Sequence, residues 1–539
     1  MLKKYLTIIT ILYASIFSYA TDYYVAPTGN DANSGDINNP VESIKRAQQL
    51  ASSGDTVYIR GGLYTMREDQ IAQYFSIWAY VTKLDKNGIN YFAYQDEKPV
   101  FDYQNIKPAN YRITAFYING SNIHIKGIEV IGVQVTITTH TQSECFEIQG
   151  SNNTLENISM HNNMAIGVYI LRGSNNLILN CDAYENYDSV SEGGTGGNVD
   201  GFGCHVRNGD TGNVFRGCRA WFNSDDGFDL INSGEPVLID HCWAFYNGYS
   251  VGFVSRGDGT GFKAGGYGKG GTPYNDIVNR YAPIPMNTIQ FCIAVRNRLR
   301  GFYSNHHLNG NKWYNNTAYR NPVNYNMLNC KALNPTDFAT DVPGWGHIMA
   351  NNLGGGATSQ ELTDIDKPKC TLNNNYFDLP VTITGADFIS FDDTILMAPR
   401  QADGSLPDTD FMKLAPGSDL IDAGFDVGFS YNGSAPDLGY SESDSGLSTK
   451  EFAAELGMSN YPNPFSKETK IQFNLKQPSK IGVSIYNLMG VNVFDIKEKA
   501  YPSGKNSIIL NRNKLASGNY LLVLKGNNNQ RSSKLVTVQ

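Results

Sequence analysis

Residues 218–229 read CRAWFNSDDGFD, a stretch that joins a repeated phrase to a group of acidic residues. The phrase Cys-x-Ala-x-x-Asn occurs four times, at Cys181/Ala183/Asn186, Cys218/Ala220/Asn223, Cys242/Ala244/Asn247 and Cys292/Ala294/Asn297. Looser copies end at Asn163 and Asn321, and the successive asparagines are 23, 37, 24, 50 and 24 residues apart. A period of 23 to 24 residues predicts one coil of a parallel β-solenoid, and the longer intervals predict the same coil with an inserted loop.

A Gly-Phe pair recurs once in each coil and fixes the register, at Gly201-Phe202, Gly227-Phe228, Gly261-Phe262 and Gly301-Phe302. Stacked coils lie about 4.8 Å apart, so equivalent residues form columns along the solenoid. The residues before the pair form the column Asp200, Asp226, Thr260, Arg300. The residues after the pair form the column Gly203, Asp229, Lys263, Tyr303.

These columns predict a cluster of four carboxylates beside an amine. Asp200, Asp225, Asp226 and Asp229 fall within about two coils, and Lys263 follows Asp229 by one coil. Carboxylates crowded in this way repel each other unless a cation binds them, and an all-oxygen ligand set favours a hard ion such as Ca²⁺. An Asp-Asp-Gly stretch alone is more often a turn, so the metal-site interpretation depends on the register. The small residues Gly261, Gly265 and Gly266 near Lys263 are expected to let a substrate chain approach.

The ends of the chain predict export. Residues 1–20 resemble a signal peptide, with Lys3 and Lys4 before an apolar run and Ser18-Tyr19-Ala20 as the cleavage site. Residues 21–440 are predicted to form the β-helix, opened by a capping helix within residues 40–52 and ended by a closing coil at residues 414–424. Residues 441–457 are interpreted as a linker. Residues 458–539 hold 12 Lys/Arg against 3 Asp/Glu and alternate as a small β-sandwich, whereas residues 21–457 carry a net charge of −19.

Cysteines and histidines are not interpreted as metal ligands. Disulfides are common in exported proteins, but Cys181, Cys218, Cys242 and Cys292 share one repeat position, which favours buried free thiols. No spacing typical of a zinc site occurs. His306 and His307 could contact the substrate, but they are expected to lie in a surface loop. The sequence therefore predicts an all-β, parallel β-helix protein with a single acidic metal site.

Two known families resemble parts of this chain. Asn198-Val199-Asp200-Gly201-Phe202, the stretch from Asn213 to Leu230, and Gly261-Phe262-Lys263 resemble polysaccharide lyase family 9, the right-handed parallel β-helix pectate lyases. This resemblance implies that Asp200, Asp225, Asp226 and Asp229 bind a catalytic Ca²⁺ and that Lys263 is the base. Asn460-Tyr461-Pro462-Asn463-Pro464-Phe465 and Ser517-Gly518-Asn519-Tyr520 resemble the C-terminal sorting domain of the type IX secretion system, which implies passage across an outer membrane.

The implied chemistry is β-elimination from an acidic polysaccharide. A divalent ion bridges the −19 domain to a uronate carboxylate, and a neutral lysine removes the hydrogen on C5. Arg300 is expected to hold a substrate carboxylate, with Arg298 and Lys269 as weaker candidates. An alkaline optimum is expected because lysine acts as a base only when it is deprotonated. The expected partners are pectin, polygalacturonate or rhamnogalacturonan and the secretion machinery, with no nucleic acid and a monomeric chain.

Other functions remain compatible with the residues. A rhamnogalacturonan lyase of the same fold is the nearest alternative to a pectate lyase. A glycoside hydrolase would need a carboxylate pair spaced for acid and nucleophile or water. A non-catalytic surface protein could use the calcium for glycan binding.

Overall fold

The computed structural model describes residues 20–267, 271–443, 457–487, 491–512, 515–526 and 531–538. In this part of the chain, strands from successive coils stack in parallel into three long sheets around one apolar core, which makes a parallel β-helix. Residues 1–19 of the predicted signal peptide, the candidate Lys269 and residues 444–456 of the predicted linker lie outside it. Among the helices described, none has the length and apolar character needed to cross a membrane.

In the described residues, sheet A has 12 strands, sheet B has 10 and sheet C has 11. Sheet A consists of Asp22–Val25, Thr56–Ile59, Asn90–Ala93, His124–Lys126, Thr154–Glu156, Leu177–Leu179, Val214–Arg216, Leu238–Asp240, Thr288–Gln290, Lys312–Tyr314, Ile348–Ala350 and Thr371–Asn373. Sheet B consists of Gly62–Thr65, Pro99–Asp102, Glu129–Ile131, Ser159–His161, Asp182–Tyr184, Arg219–Trp221, Trp243–Phe245, Ile293–Val295, Thr317–Tyr319 and Leu353–Gly355. Sheet C consists of Gln73–Phe75, Trp78–Leu84, Arg112–Ile118, Ser143–Ile148, Ala165–Ile170, Phe202–Cys204, Phe228–Asp229, Thr260–Lys263, Arg300–Tyr303, Val323–Asn326 and Gln360–Thr363.

The repeated phrase builds the bend between sheets B and C. Its asparagine side chains form a ladder in which Asn223 Nδ2 donates to Asn247 Oδ1 (3.1 Å) and Asn247 Nδ2 to Asn297 Oδ1 (3.0 Å). Asn247 Nδ2 also donates to the carbonyl of Ala220 in the preceding coil (3.0 Å). Each buried side-chain amide has hydrogen-bond partners in the neighbouring coils, so the backbone bends in the same way in each of these coils. The repeated asparagines therefore have a structural role.

The Gly-Phe pair packs against this ladder. A Cβ on Gly227 would lie 2.7 Å from the Gly261 carbonyl oxygen and 2.9 Å from the Ala244 Cβ, so no larger residue fits. The phenylalanines stack inside the core, with ring centroids 4.9 Å apart for Phe228 and Phe262. All eight cysteines are free, and Cys181, Cys218, Cys242 and Cys292 are buried, as predicted.

The first coil is capped as expected. Helix α1 (Ile44–Leu50) begins after Ser43, whose side chain accepts from the Arg46 N–H, and it buries Ile44 and Ala47 against the open end of the core. A capping element protects backbone groups that would otherwise be unpaired. The longer coils carry loops at residues 187–199 and 248–259, between sheets B and C, and helix α2 (Tyr274–Tyr281) between sheets C and A.

The predicted closing coil at residues 414–424 is wrong. Residues 374–443 leave the β-helix and pack along the outside of sheet B. There Phe388, Leu396 and Phe411 join an apolar cluster with Trp221 and Phe245. The outer face of sheet B carries aromatic side chains, so the chain returns over it to bury them. A short antiparallel pair, Asn329–Cys330 with Asp341–Val342, branches from the β-helix near sheet C.

The C-terminal residues form the two antiparallel sheets expected of a small β-sandwich. One consists of Ser459–Tyr461, Glu468–Leu475 and Gly504–Asn511, and the other of Asn492–Tyr501, Ser479–Asn487, Gly518–Lys525 and Arg531–Val538. Alternate residues of Glu468–Leu475 are buried, and Ile471 and Phe473 pack with Ile485 and Leu522 in a core of their own.

Candidate active site

Sheet C aligns the predicted columns. Gly203 pairs with Asp229, Asp229 with Lys263, and Lys263 with Tyr303, each in the neighbouring coil. Thr260 pairs with Arg300 in the other column. The order along the solenoid is therefore the one that the Gly-Phe register predicts.

Both columns meet on one face of sheet C, because Asp226 and Asp229, on either side of the Gly-Phe pair, offer oxygens within 4.8 Å of each other. The ladder pairs Thr260 with Arg300 and Phe262 with Phe302 but passes over the glycine between them. Side chains three positions apart therefore share a face while the phenylalanine enters the core, which departs from the usual alternation along a strand.

Three carboxylates meet on that face. Asp200, Asp226 and Asp229 each offer an oxygen, and these oxygens lie within 4.8 Å of one another. All three residues are at most 4% exposed. Backbone N–H groups hold them, because Asp226 N donates to Asp200 Oδ1 (3.1 Å), Thr260 N to Asp226 Oδ1 (2.7 Å) and Ile231 N to Asp229 Oδ1 (2.7 Å).

Asp225 lies beside this group and not among its three converging oxygens. Its Oδ1 accepts from the backbone N–H of Asp258 (3.1 Å), in the loop 248–259. Asp225 is buried, and its charge reaches the cluster, since it raises the pKa of Asp200. The four predicted acids are therefore neighbours, but their oxygens are not equally placed.

The electrostatics of the cluster fit a bound cation. Burial, and then the charges of its neighbours, raise the pKa of Asp200 and of Asp225 well above the ordinary value. Burial also raises the pKa of Asp226, although Lys263 opposes it. Buried carboxylates that crowd together without enough positive charge favour a hard divalent ion with oxygen ligands. The buried Asp cluster could thus bind a metal.

Lys263 lies against this cluster. Its Nζ is 2.9 Å from Asp229 Oδ2 and 3.1 Å from Asp226 Oδ2. Burial is the largest influence on its pKa and lowers it, but Asp229, Asp226, Asp225 and Asp200 together outweigh burial and raise the pKa well above its ordinary value. The amine and the carboxylates form one electrostatic unit.

Arg300 and Arg298 differ in position. Arg300 is half-buried, lines the same cavity as Lys263, and places its guanidinium carbon 4.2 Å from the centre of the Tyr303 ring. Arg298 instead donates to the carbonyl oxygens of Gly257 (2.9 Å) and Asp258 (3.4 Å). Arg300 therefore faces the cavity, whereas Arg298 supports the loop that holds Asp225.

The cavity beside Lys263 has a volume of about 310 Å³. Its walls include Asp226, Asp258, Ile231, Tyr267, Tyr303 and His306. Sequence reasoning assigned no role to Tyr303, although its place in the Lys263 column was a signal. Ile231 and Tyr267 come from irregular segments after the strands, which carried no such signal.

The expected surface loop at His306 and His307 is wrong. His307 is fully buried and bonds to the carbonyl of Pro285 (2.9 Å). The next coil packs against the glycines after Lys263, because a Cβ on Gly265 would meet His307 Nδ1 at 2.1 Å and one on Gly266 would meet Asn305 Nδ2 at 2.4 Å. Gly266 also lines the cavity, so the expected approach of a substrate chain at these glycines stays a prediction.

The family described as Pel9A-like, right handed beta helix region, matches residues 23–337. The chain belongs to this family. Among its relatives, pectate lyase L of Dickeya chrysanthemi is 34% identical over 77% of this chain and 89% of that protein, and pectate lyase L of Paenibacillus polymyxa is 32% identical over 76% and 85%. As a member of the Pel9A-like family, the chain is a polysaccharide lyase on a right-handed parallel β-helix, as the sequence predicted.

Two solved structures of similar proteins are lyases named for different substrates. A rhamnogalacturonan lyase is 44% identical with a TM-score of 0.69, covering 74% of this chain and 97% of that one. Pectate lyase Pel9A is 31% identical with a TM-score of 0.63, covering 79% and 97%. Residues 459–539 match the family described as a secretion system C-terminal sorting domain, and this Pel9A-like protein is accordingly exported by the type IX route to the outside or the cell surface.

Proposed function

We propose that this protein is a calcium-dependent lyase that cleaves polygalacturonate by β-elimination, with Lys263 as the base. The observation that carries the proposal is the contact of Lys263 Nζ with Asp229 and Asp226 at the edge of a buried three-carboxylate cluster. A metal site and an amine in contact are the two parts that elimination from a uronate requires.

Asp200, Asp226 and Asp229 would hold the cation, and Asp225 would add negative charge from beside them. When bound there, a divalent ion pairs with the uronate carboxylate and makes the hydrogen on the adjacent C5 more acidic. The same positive charge opposes the carboxylates that raise the pKa of Lys263, which favours the neutral amine. Lys263 then removes the C5 proton, and the bond from C4 to the glycosidic oxygen breaks.

Arg300 would bind a second carboxylate of the substrate chain. Its guanidinium faces the cavity, is stacked on Tyr303, and has no ion pair within 4 Å among the described acidic groups. A planar guanidinium suits bidentate binding of a carboxylate. Arg298, which supports the loop 248–259, would act on the substrate only through that loop.

A second candidate substrate is rhamnogalacturonan. The similarity of 44% to a rhamnogalacturonan lyase, over 97% of that chain, favours it. Both backbones contain galacturonate, so the same metal site and lysine would serve either one. Selectivity would depend on the walls of the cavity on either side of the cleaved bond.

Purified protein assayed for ultraviolet absorbance of the unsaturated product tests both candidates. Polygalacturonate, methyl-esterified pectin and rhamnogalacturonan are compared at equal uronate concentration, with calcium and with a chelator. Calcium-dependent absorbance on polygalacturonate supports the first candidate, and absorbance on rhamnogalacturonan alone supports the second. Activity that persists in excess chelator contradicts the role of calcium in both.

A further inference from the structure

Three side chains form a hydrogen-bonded chain at the cavity, beside Lys263. Tyr303 Oη is 2.8 Å from His306 Nε2, and His306 Nδ1 is 2.6 Å from Asp341 Oδ1. Tyr303 follows Lys263 by one coil in the same column, and Tyr303 and His306 both line the cavity. The proposed elimination uses none of the three, although they border its site.

The backbone holds His306 in an uncommon conformation. Asn305 and His306 have φ angles of +56° and +55°, the left-handed region that non-glycine residues seldom adopt. His306 N donates to the Leu328 carbonyl (2.9 Å), and Asn305 Nδ2 donates to the Gly265 carbonyl (2.5 Å), so the next coil and the previous one both fix the segment. The same conformation recurs at other bends of the solenoid, for example at Tyr246 and Arg296, so it marks a segment whose position the neighbouring coils fix.

Asp341 reaches His306 from outside the solenoid coil. It lies in the short strand Asp341–Val342, which pairs with Asn329–Cys330 in the branch beside sheet C. The branch thus brings a carboxylate to the outer ring nitrogen of a histidine whose inner nitrogen meets Tyr303. An acidic group on one imidazole nitrogen fixes the ring and the atom that the other nitrogen presents.

We propose that Tyr303 donates the proton to the leaving glycosidic oxygen, and that His306 and Asp341 position its hydroxyl group. This inference rests on the proposed β-elimination and names the group that completes it. Asp341 accepts from His306 Nδ1 and so fixes the imidazole ring, whose Nε2 holds the Tyr303 oxygen at the cavity, where the phenol can donate its hydrogen to the substrate.

The elimination needs no reactant besides the substrate, the protein side chains and solvent. Lys263 Nζ takes the C5 hydrogen as a proton, and the electron pair of that bond forms the C4–C5 double bond. The pair of the C4–O bond leaves with the glycosidic oxygen, which takes the Tyr303 proton. Arg300 over the ring stabilises the phenolate that forms. Solvent then returns a proton to Tyr303, and Lys263 releases its own proton to solvent.

The base and the proton donor are held by different partners. In a galacturonate ring, the C5 hydrogen and the C4 oxygen project from opposite faces, so the base and the proton donor need different positions. Lys263 Nζ contacts Asp226 and Asp229, whereas the Tyr303 oxygen contacts His306, and both side chains line the cavity.

The test compares two leaving groups. Tyr303→Phe and Lys263→Ala are assayed on a galacturonate oligosaccharide and on a galacturonide with fluorine at C4, since fluoride leaves without a proton. Loss of a general acid lowers the rate by about 10²–10⁴, so we expect Tyr303→Phe to lose at least about 100-fold in kcat on the oligosaccharide with little change in KM. We expect it to stay within about threefold of the unchanged enzyme on the fluoride.

Lys263→Ala should lose both activities, because both need the base. Retention of the oligosaccharide activity by Tyr303→Phe, or an equal loss on both substrates, overturns the inference. Retention of both activities by Lys263→Ala overturns the proposed function instead. His306→Gln and Asp341→Asn should lower the ratio of oligosaccharide rate to fluoride rate, which a merely structural role would leave unchanged.

Tyr325→Phe is the matched control. Its hydroxyl is buried in the core of the next coil and donates to the carbonyls of Leu353 (2.8 Å) and Asn316 (3.1 Å). We expect a lower melting temperature with an unchanged ratio between the two substrates. A changed ratio in this variant would attribute the effect of Tyr303→Phe to packing and so overturn the inference.

Discussion

Lys263 Nζ lies 2.9 Å from Asp229 Oδ2, and the two residues pair directly across neighbouring strands of sheet C. The contact is therefore set by the strand ladder and not by a flexible loop. Asp226 lies in the turn that precedes the Asp229 strand, and its Oδ2 is 3.1 Å from the same Lys263 Nζ. A rigid ladder that brings an amine to a carboxylate cluster is suited to chemistry in which position matters to within a fraction of an ångström.

Replacement of Lys263 by alanine should abolish turnover while the fold and the calcium affinity are kept. We expect a loss of at least about 10³ in kcat, since proton removal by a positioned base contributes about 10²–10⁴. Calorimetric titration with calcium and thermal unfolding check the rest of the site. Lys312→Ala, on a strand of sheet A, is the control and should keep full activity; substantial turnover by Lys263→Ala would remove the lysine from its role.

The carboxylate cluster should set the calcium requirement. Asp226→Asn keeps the oxygen that accepts from the Thr260 N–H but removes one negative charge, so we expect at least about a tenfold rise in the calcium concentration for half-maximal activity. Titration of activity with calcium after chelation measures it. Asp276→Asn on the exposed surface of α2 should leave the requirement unchanged. An equal requirement in both variants would exclude Asp226 as a ligand.

Replacement of Arg300 should change KM, whereas replacement of Arg298 should change calcium affinity. Arg300→Ala removes the guanidinium that faces the cavity, and we expect KM to rise about tenfold, in keeping with about 1.4 kcal/mol of lost binding. Arg298→Ala removes two hydrogen bonds that Arg298 Nη1 donates to carbonyls of the loop 248–259, and we expect it to affect calcium affinity more than KM. Steady-state kinetics at saturating calcium distinguish the two. An unchanged KM in Arg300→Ala would contradict its contact with the substrate.

The asparagine ladder should dominate local stability. Asn247→Ala removes the bonds to Asn297 and Ala220 and takes an acceptor from both the side-chain amide and the backbone N–H of Asn223, which we expect to cost about 3 kcal/mol or more in the free energy of unfolding. Denaturant unfolding measures it. Asn175→Ala is the control, because that side chain bonds at the surface, and it should cost less than about 1 kcal/mol. Equal losses would mean that the ladder adds no stability.

Glu144 should make stability fall as the pH rises. Burial is the largest cause that raises its pKa from 4.5 to about 7, with Arg112 opposing and Glu147 adding to it. The folded state binds a proton that the unfolded state has lost, so this contribution is complete below pH 4.5 and is lost as the pH rises through about 7. At about 1.4 kcal/mol per pKa unit, the change is on the order of 3 kcal/mol.

Glu144→Gln should remove that part of the pH dependence. Its free energy of unfolding is compared with that of the unchanged protein from pH 4.5 to 7.5. Glu68→Gln, at an exposed position, should keep the original slope. If Glu144→Gln also keeps it, Glu144 does not titrate in this range in the folded protein.

Local repetition carries much of what can be predicted. The 23- to 24-residue period, the asparagine bends and the Gly-Phe pairs define which residues are neighbours in adjacent coils. These three patterns suffice to bring Asp200, Asp226, Asp229 and Lys263 together. In a solenoid each coil contacts only its neighbours, so residues that align between successive repeats of the sequence are also neighbours in the structure.

The residues that break the repeat could not be placed in this way. Residues 374–443 cover sheet B because its outer aromatic face needs burial, a demand that appears only when the sheet exists. His307 is buried, and Asp341 reaches His306, through contacts between irregular segments that no period describes.

The sequence by itself determined the solenoid, its register and the meeting of the carboxylates with Lys263, since each follows from strand spacing alone. Only the tertiary structure decided that Asp225 lies beside the converging oxygens, that Arg298 supports a loop while Arg300 faces the cavity, and that Tyr303 meets a histidine held by Asp341. These arrangements depend on the directions of side chains in loops, where packing against distant segments outweighs local pattern.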